Sequence, residues 1–112
     1  MKFHIKTLRK AETDVRSITK YLYERSPQGA AAWLDAYRQT RTRLASNADS
    51  CGQAEENQHF DIDVRQALFK TRRGRIYRLL FTIVGNEVRI LRVRGPGQAP
   101  AVAEDLESLN DE

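Results

Sequence analysis

Two runs of alternating side chains, Ile76–Val84 and Glu87–Arg94, are separated only by Gly85-Asn86. A two-residue link in which glycine supplies a positive φ closes a tight antiparallel hairpin, so this short segment fixes both the pairing and the register of two strands. With Val84 opposite Glu87, one face collects Tyr77, Leu79, Phe81, Ile83, Val88 and Ile90, an apolar set that predicts the floor of a core. The other face takes Ile76, Arg78, Leu80, Thr82, Arg89, Leu91 and Val93 and carries the charge. Arg92 and Arg94 break this division, because parity places them on the core side. Either they sit at the end of the sheet, past whatever covers it, or they follow a β-bulge.

Upstream the period changes twice. Phe3, Ile5 and Thr7 alternate with Lys2, His4 and Lys6, which predicts a short half-buried strand. Ala11, Val15, Ile18 and Leu22 then form one stripe of a helix expected over Lys10–Glu24. Ser26-Pro27 supplies a side-chain N-cap followed by proline at the first helical position, where its missing N–H costs nothing, so a second helix starts there. Its inner stripe runs through Ala30, Trp33, Leu34, Tyr37, Arg41 and Leu44 at three- and four-residue steps. Trp33 and Tyr37, together with Tyr21 and Tyr23 of the first helix, fall at core spacing and read as packing residues. A polar loop from Ser46 to about Asp61 leads to a strand at Val64–Phe69, and Thr71-Arg72-Arg73-Gly74 turns the chain into the hairpin. The order β-α-α-β-β-β predicts an α+β fold in which a two-helix hairpin packs on one face of a mainly antiparallel four-stranded sheet. A chain of 112 residues has room for one such domain. Gly95-Pro96-Gly97 ends it, so residues 1–97 form the domain and 98–112 an acidic tail, with a short helix expected over Ala103–Leu109.

Charge is segregated along the chain. Residues 65–94 hold nine Lys/Arg against the single acid Glu87, while the tail carries Glu104, Asp105, Glu107, Asp111 and Glu112 and no base. A cationic block written onto a rigid sheet asks for a polyanionic or acidic partner. The expected binding residues are Arg65, Lys70, Arg72, Arg73, Arg75, Tyr77, Arg78, Arg89, Arg92 and Arg94. The competing expectation is a solvated face whose arginines pair with the tail or with a protein partner. Glu55-Glu56 and the pair Asp61/Asp63 stand in the polar loop and read as solvated. Cys51 is the sole cysteine and has no metal-ligand spacing around it, which points to an inert thiol and a reducing, cytoplasmic setting. There is no glycine-rich phosphate loop, paired CxxC, HExxH or nucleophile elbow, so neither cofactor nor metal is implied. No apolar run approaches membrane-spanning length.

The ordered pieces Ala11-Glu12-x-Asp14-x-x-x-Ile18-x-x-Tyr21-Leu22, Ala31-x-Trp33-Leu34, Val64-Arg65-Gln66-Ala67-Leu68, Ile76-Tyr77-Arg78-Leu79-Leu80-Phe81 and Val88–Arg94 resemble the RelE/ParE superfamily of type II toxins, over nearly the whole chain to about residue 97. The resemblance implies a growth-inhibiting toxin neutralised by a cognate antitoxin protein. Members like ParE poison DNA gyrase, whereas members like RelE cleave messenger RNA on the ribosome. For the nuclease, the superfamily's strand arginine maps onto Arg78, and Arg65 and Lys70 are loose counterparts of its second-strand bases. Its later arginine falls at about Gln98, the histidine of other superfamily nucleases falls at Gly95, and no tyrosine follows Tyr77. Metal-free RNA cleavage needs groups to take and give protons, and arginine, permanently protonated, serves neither task. His4 and His59 do not adjoin the Arg78 face by sequence logic. The resemblance therefore leans toward ParE-like action, with a RelE-like endonuclease centred on Arg78 as the alternative and a degenerate homologue serving only as a binding module as the third.

Overall fold

The computed structural model describes residues 2–59 and 62–98. The chain runs through β1 (His4–Thr7), α1 (Arg9–Arg25), α2 (Pro27–Asn47), β2 (Arg65–Phe69), β3 (Tyr77–Val84) and β4 (Glu87–Arg94). The sheet order is β1-β4-β3-β2, with β1 parallel to β4 and the other two pairs antiparallel. The predicted α+β order is the observed one. The predicted tail helix lies outside the described residues.

Ser26 does two jobs in the helical hairpin. Its backbone N–H donates to the Leu22 carbonyl at 2.8 Å and finishes α1, while its Oγ accepts from the Gly29 N–H at 3.0 Å and starts α2. One residue therefore links the helices, which forces them antiparallel and side by side. Their inner stripes meet the sheet: Ala11, Trp33, Tyr37 and Leu44 are buried with Phe3, Phe69, Leu79, Phe81, Val88 and Ile90, and Val15, Ile18 and Leu22 pack around them. Trp33 stacks on Tyr37 with ring centroids 5.8 Å apart and meets Tyr77 edge-on at 5.4 Å, so an aromatic seam joins α2 to β3. Tyr21 and Tyr23 depart from expectation, being 53% and 61% exposed.

The hairpin closes as the sequence requires, with Gly85 at φ +64° and Val84 opposite Glu87. The register holds as far as Phe81↔Ile90 and then shifts, so that Leu80 faces Arg92, Leu79 faces Val93 and Arg78 faces Arg94. Leu91 is the extra residue of a β-bulge, and the bulge settles the parity conflict. It corrects the expected position of Val93, which is buried with Leu79 in the helix-covered core. It also takes Arg92 and Arg94 out of register with that core.

The second face of the sheet is not the bare charged surface the sequence implied. Leu80 and Leu91 are buried there with Leu8, Ala54 and Val64, under a strap formed by the segment after α2. The strap is tied down by the N–H of Ala54 donating to the Val64 carbonyl at 2.8 Å and by the Val64 N–H donating to Asn57 Oδ1 at 2.8 Å. No described helix is long and apolar enough to cross a membrane.

Candidate target-binding surface

Most of the strand arginines are held by acids of the chain itself. Arg78 presents both terminal nitrogens to Glu56, Nη1 to Oε1 at 2.9 Å and Nη2 to Oε2 at 2.8 Å, and Nη1 also reaches Gln66 Oε1 at 3.3 Å. Glu56 is wholly buried and the Arg78 side chain is 19% exposed. This fork-to-fork geometry is the strongest arrangement a guanidinium can make with a carboxylate. Donating to the Glu56 carboxylate raises the Arg78 pKa further above its usual value. Glu56 is thus a correction to the sequence reading: a carboxylate expected in solvent lies under the strap, and its burial is tolerable because Arg78 neutralises it.

Arg92 and Arg65 are equally committed. Arg92 Nε donates to Asp14 Oδ2 at 2.7 Å and Nη2 to Oδ1 at 2.8 Å, while the Val93 N–H donates to the same Oδ2 at 2.9 Å. Because the β1–β4 ladder ends at Thr7↔Ile90, the α1 carboxylate takes over as partner for the β4 backbone beyond it. Arg65 Nε donates to Asp63 Oδ2 at 2.9 Å, and its Nη1 clamps the carbonyls of Asp49 and Cys51 at 2.9 and 3.0 Å. Arg89 Nε lies 2.6 Å from Glu87 Oε1, near the hairpin turn, and Arg94 is buried opposite Arg78. The arginines expected to form one face are dispersed over both ends and both sides of the sheet.

A different group remains available. Arg72, Arg73 and Arg75 stand exposed on the turn between β2 and β3, with no carboxylate partner among the described residues, and Lys70 is exposed at the end of β2. The turn is shaped by the Gly74 N–H donating to the Thr71 carbonyl at 3.1 Å, and a Cβ at Gly74 would run into Thr71 Oγ1. Arg73 and Arg75 form one lip of a cavity of about 810 Å³. Tyr21 and Arg25 of α1 form the opposite wall, Trp33 and Tyr77 line it, and Gln98 stands at its rim. Arg25 lies over the Tyr21 ring, 3.6 Å from its centroid, a cation–π contact that holds the guanidinium at the cavity wall. A second groove of about 800 Å³ lies between α2 and β2, where Leu68 and Ile76 are exposed beside Arg38, Arg43 and Lys70.

These surfaces offer cations and aromatic rings but few proton carriers. Burial pushes the Tyr77 phenol above its usual pKa, with nearby Arg75 opposing the rise, so no phenolate is supplied at neutral pH. Burial likewise raises the Cys51 thiol, leaving the thiolate scarce. His4 lies exposed on β1, the strand at the opposite edge from β2. Of the predicted binding residues, the structure brings Arg72, Arg73, Arg75 and Tyr77 together at one end and separates Arg65, Arg78, Arg89 and Arg92 into ion pairs. Sequence reasoning missed the wall made by Tyr21 and Arg25. Tyr21 adjoins the Ile18/Leu22 stripe, and Arg25 four residues on is the spacing at which helical side chains meet, a signal that could have exposed it.

Among known families, the one described as ParE toxin of type II toxin-antitoxin system, parDE, aligns with residues 5–100. No curated protein matches the chain.

Proposed function

We propose that this chain, which belongs to the ParE toxin family of type II toxin–antitoxin systems, arrests growth by binding DNA gyrase through the cationic lip at Arg72, Arg73 and Arg75. In this reading it acts in the cytoplasm as a protein-binding poison and does not cleave messenger RNA. The observation that carries the choice is the Arg78–Glu56 pair. A nuclease centred on Arg78 needs that guanidinium free to neutralise a strained phosphate, yet both of its terminal nitrogens are engaged by a buried carboxylate. Releasing them would strip a wholly buried carboxylate of two charge-assisted hydrogen bonds, a cost of several kcal/mol. The turn arginines carry no such penalty. They are exposed, closely spaced and rigidly based, the arrangement that steers and registers an acidic surface.

Membership of the family implies an antitoxin partner. The groove between α2 and β2 supports a docking place for it, since Leu68 and Ile76 leave apolar surface uncovered beside three cations. An acidic amphipathic segment would satisfy both features.

The deciding experiment puts purified protein into gyrase supercoiling and cleavage-complex assays, with primer-extension mapping of transcripts after induction run in parallel. The expected result is loss of supercoiling or trapped DNA breaks, abolished by Arg73→Gln with Arg75→Gln. Codon-phased cuts in messenger RNA that vanish with Arg78→Ala would transfer the activity to the endonuclease reading. Normal growth on induction of this chain alone would leave only the binding-module reading.

A further inference from the structure

The cavity between the helical hairpin and the β2–β3 turn has an occupant written into the same chain. We propose that it is the docking site for an acidic, leucine-bearing segment, and that in the free protein this segment is the chain's own C-terminal stretch, residues 99–112. The inference concerns which surface the stretch covers and holds whatever the toxin's target is.

Three observations meet at this place. The first is the exit point. Gly95-Pro96-Gly97-Gln98 forms a type II turn, with proline at the second position, Gly97 at φ +83° at the third, and the Gln98 N–H donating to the Gly95 carbonyl at 3.3 Å. The Gln98 side chain accepts from the Gly95 N–H in return, so the root of the tail is fixed at the cavity rim. From there Glu104 is six residues away, a reach of up to ~20 Å for extended chain, ample to cross the cavity.

The second is charge. Residues 99–112 hold five of the chain's fifteen acids and none of its nineteen Lys/Arg. Four acids of the folded domain are committed to other arginines: Glu56 to Arg78, Asp14 to Arg92, Asp63 to Arg65 and Glu87 to Arg89. Arg73 and Arg75 are left without a carboxylate partner among the described residues, and they face this cavity. A tethered acidic segment meets them at millimolar effective concentration, with no partner to be found by diffusion.

The third is the apolar part. Half-buried Ile18 and Leu22 and the exposed Tyr21 ring line the same cavity as Gln98. Leu106 and Leu109 of the tail, three residues apart, match such a surface if presented from one side of a helical turn. Trp33, only 2% exposed, also lines the cavity, and its indole N–H has no hydrogen-bond partner among the described residues. A buried donor of this kind is costly to leave unsatisfied, which marks the packing beneath this cavity as incomplete.

The test uses the full chain. A nitroxide label is placed at Ser108→Cys, with Cys51→Ser removing the native thiol, and line broadening is read across the amide spectrum and at the single indole N–H. At low ionic strength, Thr71–Gly74, Gly29 and the Trp33 indole should lose intensity, and ~0.5 M NaCl, which screens charge beyond a few ångströms, should restore it. Arg73→Gln with Arg75→Gln should restore it without salt. Should that pair of substitutions disturb the fold, the salt titration of the otherwise native surface still decides. Broadening confined to residues 95–98, or centred on Lys70 and Arg38 at the other groove, would overturn the proposal. So would equal broadening when the labelled chain is mixed with an isotope-labelled, spin-free one, since the occupant would then be a second copy.

Discussion

Arg78 and Arg75 stand three residues apart and serve opposite ends. Arg78 lies inside the sheet, where Glu56 meets it from beneath the strap and turns two charges into one neutral, hydrogen-bonded unit. Arg75 lies on a turn that no described acid reaches. Equal entries in a charge count thus represent very different availability to a partner. A cluster of basic residues along the sequence becomes a binding surface only where the fold leaves the guanidinium groups without internal carboxylates.

Removing the acid partners should break this contrast most visibly. Glu56→Ala strands Arg78 beside a buried cavity, and urea denaturation should show a loss of about 3 kcal/mol, at the low end for a buried pair because Arg78 keeps some solvent. A loss below about 1 kcal/mol would mean that Arg78 is nearly free, and the nuclease reading would regain its main requirement. Asp14→Ala removes the acceptor of two Arg92 contacts and of the Val93 N–H, with an expected cost of about 2 kcal/mol by the same measurement. Asp14→Asn, which keeps an acceptor for Val93, should cost less.

Smaller effects sharpen the other side of the comparison. Ser26→Ala deletes the α2 cap that frames the cavity and should cost about 1 kcal/mol. Arg73→Gln with Arg75→Gln should shift stability by no more than about 0.5 kcal/mol while abolishing growth inhibition, since these exposed side chains pair with no carboxylate among the described residues. The slightest effect is expected at Glu87. The hydrogen bond from Arg89 holds its carboxyl below the ordinary 4.5, so the folded state binds this proton less readily than the unfolded chain. Its stabilising contribution is therefore present above the unfolded pKa and is lost as pH falls through the lowered folded value. Comparison of acid unfolding in the parent and in Glu87→Gln should show a difference confined to that window.

Much of the architecture was legible because local signals there agree with the global fold. Gly85-Asn86 dictated the hairpin, and Ser26-Pro27 dictated the break between helices, since both act through the backbone of a few adjacent residues. The bulge at Leu91 was visible only as a conflict, two arginines on the wrong parity, because a register shift depends on what lies opposite. Glu56 was misread for a related reason. Its neighbours Glu55 and Asn57 make a solvated loop by composition, and nothing in them tells that the loop folds over Leu80 and Leu91. Tyr21 and Tyr23 were assigned to the core on helical spacing, yet α1 packs its Val15, Ile18 and Leu22 stripe against the core and leaves both rings more than half exposed.

The amino-acid sequence by itself determined the elements, their order, the toxin family and the excess of positive charge, because periodicity, turn chemistry and residue counts are properties of neighbours along the chain. The tertiary structure alone decided which arginines are spent on Glu56, Asp14 and Asp63 and which face outward, because an ion pair depends on distance in space. Glu56 and Arg78 are separated by twenty-two residues and Asp14 and Arg92 by seventy-eight, and only the packed sheet brings each pair within 3 Å.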